Sequence, residues 1–303
     1  MNLDPVAAQL MEMITAGGAP PIELGSPQEA RDAFASMSSL IPARESDGTT
    51  IDEIEVAGVR CLRIVPELES SGTLVFIHGG GWVIGSADLY LPLLSEIAVG
   101  AGCRVIAVDY DKAPEHPFPV AVRQSIAAVS EIALSGGAGT GGGARVAVGG
   151  DSAGGNLAAI AAQHVPGLAL QLLVYPVCDL RLETASMDKE GEGYFLTAPA
   201  MRWFRDLYLA GADPRDPMAS PLLADLASCG SLPPAHVVLA GHDPLVDEGR
   251  LYAAALEAAG VAVTLDLYPA QMHGFFSMGM LLDDGKLAVA GAIDALRVAF
   301  NAG

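Results

Sequence analysis

Six short apolar runs recur along this chain: TLVFI (73–77), RVIAVD (104–109), RVAVGG (145–150), LQLLVYP (170–176), HVVLAG (236–241) and VTLDLYP (263–269). A strand with one wet face alternates apolar and polar residues, and most of these runs do not. They need cover on both faces, which a mostly parallel sheet between two layers of helices provides. The segments at about 87–100, 118–134, 154–164, 246–259 and 284–300 read as the covering helices. Two earlier runs, TIDEIEV and RCLRIVP, are parted by Ala57-Gly58 and read as a hairpin-like pair. The expectation is an α/β fold with an eight-stranded, mostly parallel sheet.

Two stretches fall outside this alternation, residues 1–45 and 179–231. Both read as helical additions to a complete sheet, of the kind that commonly covers an active site. Ser26-Pro27-Gln28-Glu29 has the form of a capping box with proline at the first helical position, opening a helix to about Leu40. In 179–231 a helix is expected around Pro199–Leu209. The main body is then 46–178 together with 232–303. GGAGTGGG (136–143) reads as a flexible surface loop, and it lacks the Lys-Ser/Thr of a phosphate-binding loop.

No apolar stretch reaches the ~18–20 residues of a membrane span. The N-terminal stretch has no basic residues ahead of its apolar ones, so a cytoplasmic protein is expected, with no membrane partner. Sixteen basic against thirty-six acidic residues give a net charge of −20, which argues against nucleic acid. Cys61, Cys103, Cys178 and Cys229 form no CxxC pair, so they read as scattered reduced thiols, with no metal site.

The segment VAVGGDSAGGNLAAIAAQ (146–163) passes from strand to helix through Gly149-Gly150-Asp151-Ser152-Ala153-Gly154-Gly155. Gly150 to Gly154 fits G-x-S-x-G, and the flanking strand and helix give the five letters their meaning. A nucleophilic serine must stand clear of the sheet on a tight, strained turn whose neighbours are small. A glycine turn cradling a nucleotide phosphate is the competing explanation, but the GxGxxG phase is missing. Serine is a weak nucleophile without a base. His273, in MHGFF just past the eighth strand, lies at the same carboxyl edge as Ser152, where sites form in open parallel sheets. His116, His164 and His236 read as structural, and His242 adjoins Asp243. For the acid that orients the imidazole, GHDPLVDEG offers Asp243, Asp247 and Glu248. Asp243 follows the seventh strand directly, whereas the other two sit in a helical first turn where the dipole alone favours acids. Three consecutive glycines in FIHGGGW (76–82) offer backbone N–H groups to a developing oxyanion. The expected donors are Gly79, Gly80, Gly81 and, after the serine, Ala153.

With HGGGW, APEHPFP, GDSAGGNLA, DPLVDEG and HGF in this order, the chain from about 50 to 280 resembles the bacterial hormone-sensitive-lipase-like carboxylesterases of the α/β-hydrolase superfamily. The resemblance implies a helical cap built from the N-terminus and the 179–231 insertion, and cofactor-free hydrolysis of small-molecule esters with short to medium acyl chains. It also implies a homodimer through the C-terminal strand and helix. One departure is visible: Asp111-Lys112 stands where the family usually has arginine and an apolar residue, which puts that arginine's ion pairing in question. A small-molecule receptor on the same fold, an amidase and an acyltransferase are the alternatives. Phe195, Met201, Trp203 and Phe204 either line the pocket or join cap to core, and Trp82 either touches substrate or packs beneath the glycine loop.

Overall fold

The computed structural model describes residues 2–18, 20–40, 48–68, 72–136 and 145–301; most of the glycine-rich 136–143 stretch lies outside them. The strands are β1 (Thr49–Val56), β2 (Val59–Pro66), β3 (Gly72–Ile77), β4 (Arg104–Val108), β5 (Arg145–Asp151), β6 (Leu170–Val174), β7 (Ala235–His242) and β8 (Val263–Met272). They form one eight-stranded sheet in the order β1-β2-β4-β3-β5-β6-β7-β8. β2 pairs antiparallel with β1 and with β4, and every other pairing is parallel.

The helices are α1 (Pro5–Ala16), α2 (Pro27–Leu40), α3 (Leu91–Ala101), α4 (Val120–Leu134), α5 (Ala153–His164), α6 (Ala185–Lys189), α7 (Ala198–Leu209), α8 (Val246–Ala258) and α9 (Asp283–Asn301). The doubly apolar strands have the cover they need. Val75 and Ile77 of β3 face the layer of α4, α5 and α8, while Leu74 and Phe76 face α3 and α9. Proline explains one shift from expectation. Pro92 has no N–H to continue a helix begun at residue 87, so Ala87–Tyr90 is a 3-10 turn and α3 starts at Leu91. The Ser26 box forms as expected: Glu29 N–H donates to Ser26 Oγ at 3.3 Å and Ser26 N–H donates to Glu29 Oε2 at 2.8 Å.

The extra helices converge on the carboxyl edge of the sheet. Asp4 caps α1, and its own N–H donates to Ala270 O in β8 (2.8 Å). Arg31 of α2 reaches the loop after β3. α6 and α7 lie between β6 and β7 in the chain, and the ring of Phe204 in α7 occupies the space a side chain at Gly81 would need. No helix among the described residues is long and apolar enough to cross a membrane. The four cysteines are unpaired, and burial pushes the Cys61 and Cys103 thiols up to about 12.

Candidate active site

Ser152 sits between β5 and α5 at φ 55° and ψ −120°, a left-handed backbone that non-glycine residues rarely adopt. Its N–H donates to Val174 O (2.9 Å), and its C=O accepts from Asn156 N (3.0 Å) and Val177 N (3.2 Å), so the strain is held from both sides. The turn leaves no room at Gly154, where a Cβ would collide with Ile77 O and His78 O. The small residues of GDSAGG thus let a helix start against the end of a neighbouring strand.

β8 runs three residues further than its apolar pattern, to Met272, and delivers His273 to the same edge. His273 Nε2 lies 3.0 Å from Ser152 Oγ, and Nδ1 lies 2.7 Å from Asp243 Oδ2. Asp243 follows β7 directly, is fully buried, and its Oδ1 accepts from Leu245 N (2.9 Å). A carboxylate only accepts, so Nδ1 carries the hydrogen and Nε2 is left to accept from the serine hydroxyl. The rival acids are engaged elsewhere. Asp247 Oδ2 accepts from Ser186 N (2.9 Å), at the start of α6. Glu248 is fully buried, and its Oε1 accepts from Cys178 N (2.6 Å) and Asp179 N (3.2 Å), tying α8 to the chain leaving β6. Burial pushes the Glu248 carboxyl well above the usual carboxylate range.

The glycine loop after β3 requires one correction. Gly79 N–H is already donated to Asp151 Oδ1 (2.8 Å), with Tyr90 Oη at 3.2 Å, so it is not a donor for an oxyanion. A buried carboxylate beside an amide claims that amide before a ligand can. Gly80 and Gly81 donate to no acceptor among the described residues, and Ala153 is the first residue of α5. Gly80 has φ 116°, with the Ile84 carbonyl where a Cβ would be, so no other residue fits there.

Asp151 itself carries no signal beyond its place in GDSAG. It accepts from Tyr90 Oη at 2.9 Å as well as from Gly79, and so joins the serine turn to the glycine loop. Burial raises its carboxyl above the ordinary range, against these two hydrogen bonds. Asn156, also buried, donates to Val177 O (2.9 Å) and Ala219 O (2.8 Å). His78 sits with Nδ1 2.7 Å from Gly79 O and stacks on Tyr110 at 4.4 Å.

Three further histidines have partners of their own. His164 Nδ1 meets Ile160 O, His236 pairs with Asp266 (3.0 Å), and His242 pairs with Glu190 (3.1 Å). At the departure from the family pattern, Asp111 binds Gln124. Lys112 reaches Asp109 at 3.2 Å, beside Arg60 at 2.8 Å. Burial would raise the Asp109 carboxyl, but His78, Lys112 and Arg60 hold it well below the usual range. Arg60 and Lys112 thus both pair with Asp109, two residues before Asp111. Trp82 is fully buried and stacked on Tyr208 of α7 (4.2 Å, 3°), so it packs beneath the loop. Met201 and Phe204 are likewise buried, while Phe195 and Trp203 are half-buried.

The family model Abhydrolase_3, described as alpha/beta hydrolase fold, matches residues 74–277. Ethyl acetate hydrolase of Pseudomonas putida is 34% identical over 98% of this chain and 99% of its own length. Carboxylic ester hydrolase LipN of Mycobacterium tuberculosis is 42% identical over 74% of this chain, a match spanning 62% of that protein. Among solved structures, a thermostable esterase from Pseudomonas putida superposes with a TM-score of 0.92 at 33% identity, covering 99% of this chain and 98% of its own. A hyperthermophilic esterase from the archaeon Pyrobaculum calidifontis gives 0.88 at 32% identity, covering 98% of both chains. Fold, motif order and these relatives agree: the chain belongs to the Abhydrolase_3 family, the hormone-sensitive-lipase-like carboxylesterases of the α/β-hydrolase fold.

Proposed function

We propose that the protein hydrolyses short- to medium-chain acyl esters through a Ser152–His273–Asp243 triad and an acyl-enzyme intermediate. The observation that carries this reading is the hydrogen-bonded line from Ser152 Oγ through His273 to buried Asp243. Ser152 Oγ attacks the ester carbonyl carbon while His273 Nε2 takes its proton. The carbonyl oxygen becomes an oxyanion held by the N–H groups of Gly80, Gly81 and Ala153, in the positive field at the start of α5. The intermediate collapses, the C–O bond to the alcohol breaks, and His273 returns the proton to the departing oxygen. Water then attacks the acyl carbon while His273 takes its proton; the bond to Ser152 Oγ breaks, His273 returns the proton to Oγ, and the carboxylic acid leaves.

In this reading residues 1–45 and 179–231 form the cap, over a catalytic domain of 46–178 and 232–303. The burial of Phe204 against the glycine loop supports a pocket closed by the cap. A homodimer would use β8, the edge strand of the sheet, together with α9.

The test is a series of p-nitrophenyl esters, with an amide and an alcohol acceptor alongside, plus labelling by a fluorophosphonate. Acetyl to hexanoyl esters should be turned over faster than dodecanoyl. Each buried CH₂ gains about 0.8 kcal/mol only until the pocket ends. Ser152→Ala should lower kcat by a factor of about 10⁶ and abolish labelling. Labelling that survives the substitution refutes the assignment, and a rate rising steadily to C16 at an oil interface refutes the substrate class.

A further inference from the structure

The turn that carries Gly80 and Gly81 is gripped from outside the sheet. Gly80 O accepts from Val83 N (3.0 Å) and Ile84 N (2.9 Å), closing Gly80–Ile84 into one compact turn. Two carbonyls of that turn are then held by other parts of the chain. Trp82 O accepts from Ala113 N (2.9 Å), in the loop after β4. Val83 O accepts from Arg31 Nε (2.9 Å), on α2. The same guanidinium donates through Nη2 to Ala113 O (3.0 Å). It also meets both oxygens of Glu115, at 2.9 and 2.6 Å. One side chain thus clamps the glycine turn to the neighbouring loop that supports it.

Resting on the triad reading, we propose that Arg31 is a positioning residue for the oxyanion-binding amides. Its fork fixes the carbonyls of Val83 and Ala113, and through them the direction in which the Gly80 and Gly81 N–H groups point. Helix α2 therefore takes part in setting the donor geometry. Arginine suits this task because its donors lie in one rigid plane and can span two carbonyls and a carboxylate at once, which an ammonium cannot. The Glu115 carboxylate is more than half exposed, so the ion pair alone contributes little, and the two main-chain acceptors carry the effect.

Four proteins test this: wild type, Arg31→Ala, Arg31→Lys and Glu115→Gln. Each is measured for kcat and KM on p-nitrophenyl acetate, melting temperature, and affinity for a trifluoromethyl ketone, whose serine adduct carries an oxyanion. Direct loss of one oxyanion donor costs about 10²–10³ in rate, so loosening the donors through Arg31 should cost Arg31→Ala at least about tenfold in kcat. KM should stay within about threefold, and ketone affinity should fall by the same factor as kcat/KM. Arg31→Lys should lie between Arg31→Ala and wild type. Glu115→Gln should keep most of the rate, because Arg31 retains both carbonyls. Guanidinium ion, added far below denaturing concentrations, should restore part of the rate to Arg31→Ala.

An Arg31→Ala enzyme with unchanged kcat overturns the proposal. So does one that melts earlier while its ketone affinity is intact, or a Glu115→Gln variant as impaired as Arg31→Ala. If Arg31→Ala does not fold, Arg31→Lys decides by the same measurements. A wild type that does not bind the ketone removes the triad reading itself, and this proposal with it.

Discussion

Asp243→Asn separates orientation of the imidazole from mere burial of a carboxylate. In the wild type, Asp243 Oδ1 accepts from Leu245 N at 2.9 Å and Oδ2 accepts from His273 Nδ1 at 2.7 Å. An asparagine has one acceptor oxygen, and the site decides where it goes. If the amide oxygen faced His273, the NH₂ would face the Leu245 N–H, two donors in contact inside a fully buried pocket. The oxygen therefore stays with Leu245 and the NH₂ turns to His273. There it donates to Nδ1 and drives the hydrogen to Nε2, the nitrogen 3.0 Å from Ser152 Oγ. The base then offers the serine a donor in place of an acceptor. The same change in a serine-protease triad lowers kcat about 10⁴-fold, equivalent to about 5.5 kcal/mol of lost transition-state stabilisation. Fold and KM should be nearly preserved, since the volume and the Leu245 hydrogen bond remain. Asp247→Asn is the control. It keeps an oxygen for Ser186 N and removes a first-turn charge worth about 0.3–1 kcal/mol, so it should shift the melting temperature slightly and leave kcat intact. Both variants are assayed at one pH near 8 by initial rates on p-nitrophenyl acetate and by thermal melting. A rate lost in Asp247→Asn and kept in Asp243→Asn would refute the assignment and the donor bookkeeping behind it.

Two further substitutions probe the support around the site. Burial holds the Glu248 carboxyl well above its unfolded value of about 4.3, so its proton favours the folded state below that pH. This contribution is lost as pH rises toward the folded value. Glu248→Gln, which still accepts from Cys178 and Asp179, should therefore gain melting temperature relative to wild type between pH 5 and pH 8, and a difference that shrinks over that range contradicts the assignment. Gly81→Ala places a Cβ against the Phe204 ring at φ 56°, and should cost about 1–2 kcal/mol of stability and about 10²-fold in kcat. Adding Phe204→Ala should return part of the rate; no recovery in the double variant would mean that the ring is not what displaces the loop.

What could be read from the sequence was local. GDSAGG announces its turn because a serine at positive φ between a strand and a helix tolerates only small neighbours, and the run of letters shows them. Ala57-Gly58 announces the β1–β2 hairpin for a similar reason, since both residues adopt positive φ. His273 and Asp243 could be placed because a parallel sheet brings the ends of β5, β7 and β8 to one edge. Long-range competition for hydrogen bonds was not legible. Gly79 looked equivalent to Gly80 and Gly81 until Asp151, more than seventy residues away, was found to hold its N–H. Arg31 lies in an ordinary amphipathic helix, and nothing in its surroundings in the chain points to Val83 or Ala113. Asp111-Lys112 puts the family arginine's ion pair in question, but nothing in the chain announces that Asp109 pairs with Arg60 of β2 and with Lys112. Such facts belong to the folded geometry and leave no periodic trace.

The stack of Trp82 on Tyr208 gives the molecule an optical gauge. The chain has two tryptophans, and both flank the same joint: Trp82 on the glycine turn, and Trp203 on α7, edge-on to Phe204 at 5.1 Å. Trp82 is sealed from water and lies parallel to its tyrosine partner, so its emission belongs to a dry, rigid setting. Any opening between the turn and α7 has to break that stack and wet the indole, shifting its emission to longer wavelength. Intrinsic fluorescence, recorded without a dye or a label, thus reports any parting of the seam between α7 and the glycine turn.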